Sequence, residues 1–423
     1  MRMIVDPSPR ALSRLSFATL FATTLATAIG NMGLISVMPA AGRELGISDF
    51  LIASIFSLSA LMWAVTSPFW AGRSDRKGRK PHILIGLGGF TFSMLGCGCV
   101  VLAGLNGLTV PLVTFAGFLL IRSTYGTFGS ASGAAAQAYV ADRTEGQLRV
   151  RAIAALGGAL SLGTILGPAI APFLILPHVG LAGPMFVFGI AGIGILCLAA
   201  IVLPSDRPGE IARQHTESSG GWDIWRDPAV RPFLIYGFAM SSAQAANTYT
   251  LGFLVIDRVG LSPVEAQSSI GIAMVAGALA GLVAQWGLVG MCGMMPRALL
   301  RWGGALAFAG NVLIVALPGF LSLVAAFALV SFGYGLARPA YTAGASLAVG
   351  DGKQGAVAGA VSAIAGASIV VVPAVAVGLY EWMPALPFVV FGGVMGGLLI
   401  YAFIDPALAQ REVADCGIVS CER

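Results

Sequence analysis

The chain has 423 residues, of which 57% are hydrophobic and 10% charged, with a net charge of +5. Soluble domains carry about 25% charged residues, so this composition excludes a soluble enzyme and implies a polytopic helical membrane protein. The mean hydropathy of +0.87 agrees, and the positive charge sits in short segments between apolar runs, where membrane topology accounts for it without nucleic acid.

A membrane-crossing helix needs about 20 apolar residues. In chain order the uncharged runs cover 15–42, 51–72, 81–121 (continuing to 141 across Arg122) and 152–205, then 232–256, 266–296, 302–337, 354–380 and 382–404. The first run follows basic residues, as a signal peptide would, but it is long enough to span and is expected to be retained. The longer runs must fold back. Asn106-Gly107 with Pro111 marks one turn, Pro177-His178 through Gly183-Pro184 a second, and Pro318-Gly319 a third. The count is twelve spans, with the ninth beginning near Arg297.

Even-numbered loops and the termini hold 21 of the 24 Lys and Arg residues, which predicts cytoplasmic termini. Arg43 and Arg258 fall on the other side, and Arg122 lies inside a span. The segment 206–231 carries Ser218-Ser219-Gly220-Gly221 and reads as a linker. The expected organisation is an N-terminal six-helix bundle over 1–205, a cytoplasmic linker over 206–231, a C-terminal bundle over 232–404 and a cytoplasmic tail over 405–423. Two ungapped self-matches support duplication. Phe118–Asp142 laid over Phe327–Asp351 is identical at nine of 25 positions, Tyr125/Tyr334 and Gly126/Gly335 among them. Gly72–Gly89 laid over Gly287–Gly304 is identical at six of 18, including Gly78/Gly293. The expected fold class is therefore an all-α membrane protein with 12 transmembrane helices in two pseudo-symmetric six-helix bundles. Parallel repeats of this kind place a substrate site between the halves near the bilayer midplane.

Three motifs stand out. Trp70 is followed by the dense basic segment Ser74-Asp75-Arg76-Lys77-Gly78-Arg79-Lys80-Pro81. Arg122 precedes Gly126. Gly163-Thr164-Ile165-Leu166-Gly167-Pro168 forms the third. In these the chain resembles the major facilitator superfamily, and within it the twelve-helix drug:proton antiporters. The likeness covers about Arg14 to Asp405. The resemblance implies that Asp75, Arg76, Gly78 and Arg79, in the loop between helices two and three, form a conformational latch in which the acid engages the other half and holds one conformation until transport breaks the contact. It implies alternating access in a bacterial-type cytoplasmic membrane, and helices one, four, seven and ten around the central cavity. The family's usual Gly is Ala71 here.

The residues themselves allow bottom-up readings. Asp75 near a helix N-terminus would also be favoured as a plain cap, and Gly78 permits a tight turn. Arg122 lies about 16 Å along its helix from Pro111 at 1.5 Å per residue. A charge at that depth costs several kcal/mol unless it faces a cavity or a partner. Arg122 is thus either a substrate- or proton-handling residue or a structural one bonded to neighbouring polar groups. Gly163 and Gly167 make a small-residue face and Pro168 a bend, which suits a gate helix.

No Asp or Glu lies inside a span; at the helix-one position where many members of the family carry a proton, this chain has Asn31. The substrate is therefore expected to be neutral or anionic. Protons, if they are the coupling ion, would use acids at a cavity mouth, such as Asp49, Asp257 or Glu265. Further cavity candidates are Gln244, Asn247, Tyr249 and Tyr334, with Trp63, Met62 and Met240 adding apolar contact; Asn311 reads as structural. His82, His178 and His215 are scattered and Cys416 and Cys421 sit in the tail, so neither an enzyme nor a metal centre is indicated. No cofactor is expected, and the partners are a small-molecule substrate, the lipid bilayer and possible protons, for a monomer. The expected function is proton-coupled export of a small amphiphilic molecule, with import or facilitated passage of a small nutrient or organic anion as the alternative.

Overall fold

The computed structural model describes residues 12–205, 223–288, 295–349 and 353–409. Most of the expected linker, the tail beyond residue 409, His215, Cys292, Gly293 and Asp351 lie outside the described residues.

Twelve long helices follow one another. They are α1 (Arg14–Glu44), α2 (Asp49–Lys77), α3 (Arg79–Leu105), α4 in three pieces, α5 (Gly146–Ile170), α6 (Gly183–Val202), α7 (Arg231–Val259), α8 (Pro263–Leu282), α9 (Pro296–Ala316), α10 (Phe320–Leu347), α11 (Gln354–Trp382) and α12 (Leu386–Ile404). The pieces of α4 are Pro111–Thr124, a π turn at Tyr125–Gly129, and Ser130–Ala141. Their ends follow local chemistry. Ser13 and Ser48 cap α1 and α2 by accepting a backbone N–H, and Ser262 with Glu265 forms a capping box on α8. Proline opens α4, α6, α7, α8, α9 and α12, where its missing N–H costs nothing. The three expected turns fall between α3 and α4, α5 and α6, and α9 and α10.

Ten of the twelve are individually long and apolar enough to cross a membrane. The other two are α4 and α7, for different reasons. The π turn divides α4, and α7 carries Ser241, Ser242, Gln244, Asn247, Thr248 and Thr250. Both helices carry polar groups of the candidate site.

Packing repeats between the halves. α1 packs on α5, α3 on α6 and α2 on α4; correspondingly α7 packs on α11, α9 on α12 and α8 on α10. Across the halves, α2 meets α11, α5 meets α8, and α1 meets both α7 and α8. These contacts lie toward one end of the molecule. Gly33–Gly42 of α1 and Thr250–Ile256 of α7 are buried throughout. A Cβ on Gly252 would stand 2.5 Å from Pro39, so α7 and α1 nearly touch there. At the other end, no residue of α2 from Ala60 to Arg73 is buried.

The basic segment Ser74–Pro81 departs from expectation. It is not a loop: α2 continues to Lys77, α3 starts at Arg79, and Gly78 alone makes the corner at φ 95°. That backbone conformation is nearly closed to residues with a Cβ. Asp75 consequently rides in the last turn of α2 and does not cap α3.

Candidate functional site

Arg122 sits at the end of the first piece of α4, one turn before the π turn, and is 2% exposed. Single π turns inside α-helices gather at functional positions, and two features of the sequence let α4 adopt one here. Gly126 accommodates the backbone of α2, since a Cβ there would collide with the Ser59 carbonyl. The Thr127 carbonyl then accepts hydrogen bonds from Trp70 Nε1 at 2.7 Å and from the Thr66 hydroxyl at 3.0 Å. Trp70, part of the first motif, thus braces the helix that carries Arg122.

One nitrogen of the guanidinium, Nη2, donates to Asn31 Oδ1 on α1. Nε and Nη1 are buried and have no hydrogen-bond partner. Aromatic faces surround the group: its carbon lies 4.5 Å from the centre of the Tyr125 ring and 5.7 Å from that of Phe56. Tyr249, reaching across from α7, packs on Phe56 with ring centres 5.5 Å apart, and Trp63 packs on Tyr125 at 5.5 Å. Among the described residues no carboxylate pairs with Arg122. A desolvated cation over a ring gains about 2 kcal/mol. A buried, uncompensated cation costs several. The ring faces therefore offset only part of the cost, and the Arg122 site keeps a net attraction for negative charge.

The other half holds a related cluster. Asn247 of α7 donates to the Tyr334 hydroxyl of α10 and to Asn311 Oδ1 of α9, each at 3.1 Å. Asn311 in turn donates to the Ala307 carbonyl, so it orients Asn247 as a structural partner. Tyr334 corresponds to Tyr125 in the repeat, and Asn31 and Asn247 occupy matching places on α1 and α7. The polar pair is Arg–Asn in one half and Tyr–Asn in the other. Of the cavity candidates, Asn31, Tyr249 and Arg122 come together, and Asn247 and Tyr334 form the second cluster. The Gln244 side chain joins neither, and Met240 is fully buried in the core.

The first motif folds on itself. Arg79 is buried and donates to Asp75, to the Ser74 hydroxyl at 2.8 Å, and to Asp142 at 2.9 Å. Asp142, at the end of α4, belongs to this network and is not among the expected latch residues, although the Asp142/Asp351 match in the repeat points to it. Arg76 is exposed and bonds the Gly72 carbonyl of its own helix. The partners named here lie in the first half.

Among the described residues, the polar bonds between the halves lie at the opposite end. Arg43, at the end of α1, pairs with Asp49 of α2 at 2.8 Å and with Asp257 of α7. The Tyr380 hydroxyl of α11 donates to Asp257, and Glu381 accepts from the Phe50 backbone N–H at 2.9 Å. Deeper in, the Ala374 N–H meets the Ser57 hydroxyl at 3.3 Å, and Gln267 of α8 meets Ser36 of α1 at 3.3 Å. The sequence singles out Asp49 and Asp257 as acids at a cavity mouth; that they share one arginine across the two halves is not legible there. Glu265 is otherwise engaged, as the capping residue of α8. Arg258 binds carbonyls of α9 at Leu317 and Ile314.

The third motif joins both kinds of contact. Cβ atoms on Gly167 would lie 2.6 Å from the Ile29 carbonyl and 2.7 Å from the Gly33 nitrogen, and one on Gly163 would strike Ala28. These glycines bring α5 against α1 within the first half. One residue on, the Pro168 carbonyl lies 2.8 Å from where a Gly271 Cβ would be, so α5 meets α8 of the second half at this proline.

Comparison with known proteins agrees with this architecture. The chain is 26% identical to Multidrug resistance protein 2 of Bacillus subtilis over 391 residues, covering 90% of this chain and 92% of that protein. It is 24% identical to the class H Tetracycline resistance protein of Pasteurella multocida, covering 94% and 97%. Its fold matches the crystal structure of a bacterial homologue of the iron transporter ferroportin in an inward-facing state, with a TM-score of 0.70 and 15% identity, over 94% of this chain and all of that one. The sequence profile of the Major Facilitator Superfamily matches residues 20–373. The chain belongs to the Major Facilitator Superfamily, and it is a multi-pass membrane transporter.

Proposed function

We propose that this transporter exports a small amphiphilic molecule, neutral or anionic, from the cytoplasm by alternating access coupled to protons. The observation that carries the reading is the distribution of bonds between the halves. Among the described residues they gather at the Arg43 end, and the described ion pairs of the basic corner at Gly78 join Arg79 to Asp75 and Asp142 of its own half. Placing the basic segments in the cytoplasm puts both termini there, in a bacterial-type cytoplasmic membrane. The state described is then closed to the outside and accessible from the cytoplasm, as a loading exporter should be. In this reading Asp75, Arg76, Gly78 and Arg79 form the inner latch, with Arg79 tying the ends of α2 and α4 together through Asp75 and Asp142. Export is favoured by the Gly167-Pro168 motif of α5 and by the drug-resistance proteins among the relatives. Asp49 and Asp257 are the acids placed to sense protons, because neutralising either weakens the outer closure around Arg43.

The competing reading is uptake or facilitated passage of a small nutrient or organic anion; it is favoured by the lack of any intramembrane carboxylate. Flux in proteoliposomes of defined orientation, with and without an imposed pH gradient, decides between them. Export with protons requires faster substrate movement when protons run the opposite way. Flux indifferent to the gradient overturns coupling, and retained transport by Arg122→Ala overturns the role of Arg122.

A further inference from the structure

We infer that the Arg122 pocket is a binding site for the carboxylate of an aromatic or otherwise planar organic acid, and that Asn31 sets its preference for anions. This rests on the transport reading above, and narrows its substrate class.

The guanidinium is 2% exposed, yet two of its three nitrogens lack a hydrogen-bond partner. Buried polar groups are almost always satisfied, and a guanidinium presents its N–H groups in one plane, a geometry that matches a carboxylate. The third nitrogen is held by Asn31 Oδ1. An amide oxygen orients the guanidinium without neutralising it. The neighbouring titratable side chains are Tyr125, Tyr249 and Cys97, which are neutral at physiological pH in their ordinary forms. Full positive charge therefore remains for a ligand. The walls are the Tyr125 and Phe56 rings, with Tyr249 and Trp63 behind them. Rings on that scale stack with an aromatic body, while the carboxylate takes the free N–H of Nε or of Nη1 together with the second N–H of Nη2, which lies beside it in the guanidinium plane.

Asn31→Asp is close to isosteric and tests charge alone. It gives Arg122 an internal counter-ion, so the pocket becomes neutral. Two properties should move in opposite directions. The unliganded variant should unfold at a higher temperature than the wild type, because a lone buried charge has been paired. Its affinity for 2-naphthoate should fall at least tenfold, while binding of the uncharged 2-naphthamide changes little.

The experiment measures equilibrium binding of 2-naphthoate and 2-naphthamide to the purified full-length protein, in chloride and in gluconate buffer, with thermal unfolding of the same samples. Arg122→Gln is the companion variant, removing the charge from the other partner; it should lose 2-naphthoate as well. The inference is overturned if wild type binds the amide as well as the acid. It is also overturned if Asn31→Asp binds 2-naphthoate unchanged, or if chloride alone saturates the pocket and excludes the acid. Should the organic acid fail to bind while neutral amphiphiles are carried, the export reading stands and this inference falls. If no solute moves against a gradient in proteoliposomes, the export reading itself fails.

Discussion

Arg43 shows what a single side chain contributes to the closed end. Its guanidinium takes acids from both halves, Asp49 and Asp257, and lies 5.5 Å from the centre of the Phe253 ring. The pair with Asp257 is partly exposed, so solvent screening holds it to the range of about 1 kcal/mol. That is enough to matter in a protein whose two conformations must be nearly balanced, since about 1.4 kcal/mol shifts an equilibrium tenfold. Arg43→Gln should therefore leave the fold intact and open the Arg43 end several-fold more often. Labelling of a Ser36→Cys reporter, buried beneath the closure, by a membrane-impermeant thiol reagent measures this. Faster labelling in Arg43→Gln is expected, and equal rates would remove Arg43 from the closure. At this scale the sequence was partly legible. Arg122 and Asn31 stood out because polar groups are costly in an apolar span. Their hydrogen bond did not stand out, because it joins residues 91 positions apart and depends on how α1 and α4 are turned. Tyr125 was visible only as a repeated residue, since an aromatic ring in a membrane helix carries no chemical signal until a cation is placed over it.

The helices themselves were easier to read than their interruptions. Charge and hydropathy gave twelve spans and located the turns, because a long apolar run has few places to fold back in a membrane. Hydropathy gave neither the π turn in α4 nor the one-residue corner at Gly78, since both depend on backbone geometry and on contacts between neighbouring helices. Glycines make the point quantitatively. On α5, a Cβ added to Gly157 would meet nothing within 4 Å, whereas one on Gly167 would meet backbone atoms of α1 at 2.6 Å. Gly157→Ala should be neutral or stabilising by up to about 1 kcal/mol, from helix propensity alone. Gly167→Ala should destabilise by roughly 1–3 kcal/mol, because the backbone of α1 must move. Thermal unfolding of the two variants in the same detergent checks both. Equal melting temperatures would mean that α5 and α1 are not held at the distance described. At the corner, Gly78→Ala should cost about 1–3 kcal/mol for a different reason, a strained backbone at φ 95°. Its effect should appear in unfolding temperature even where transport is saturated.

At the level of the whole molecule, duplication explains the shape but not the working asymmetry. The paired packing of α1 on α5 and α7 on α11 repeats, while the charges do not. The first half has its ion network at Gly78, and the arginine that joins the halves, Arg43, has a counterpart in Arg258 that binds helix carbonyls. Among the described residues the cross-half bonds gather at the Arg43 end, and a two-bundle transporter must break such bonds to expose its site on that side. Holding them together should then stop the cycle. Ser57 of α2 and Ala374 of α11 are in contact through a 3.3 Å hydrogen bond, close enough that cysteines at both positions fall within reach of disulfide geometry. The oxidised Ser57→Cys, Ala374→Cys protein should keep its affinity for substrate from the open side and lose transport to background. Reduction should restore it. Transport that continues at the wild-type rate, with the cross-link verified by mass, would mean that α2 and α11 do not separate during the cycle. The closure at Arg43 would then be a fixed seam of the molecule, and the route for substrate would have to lie elsewhere.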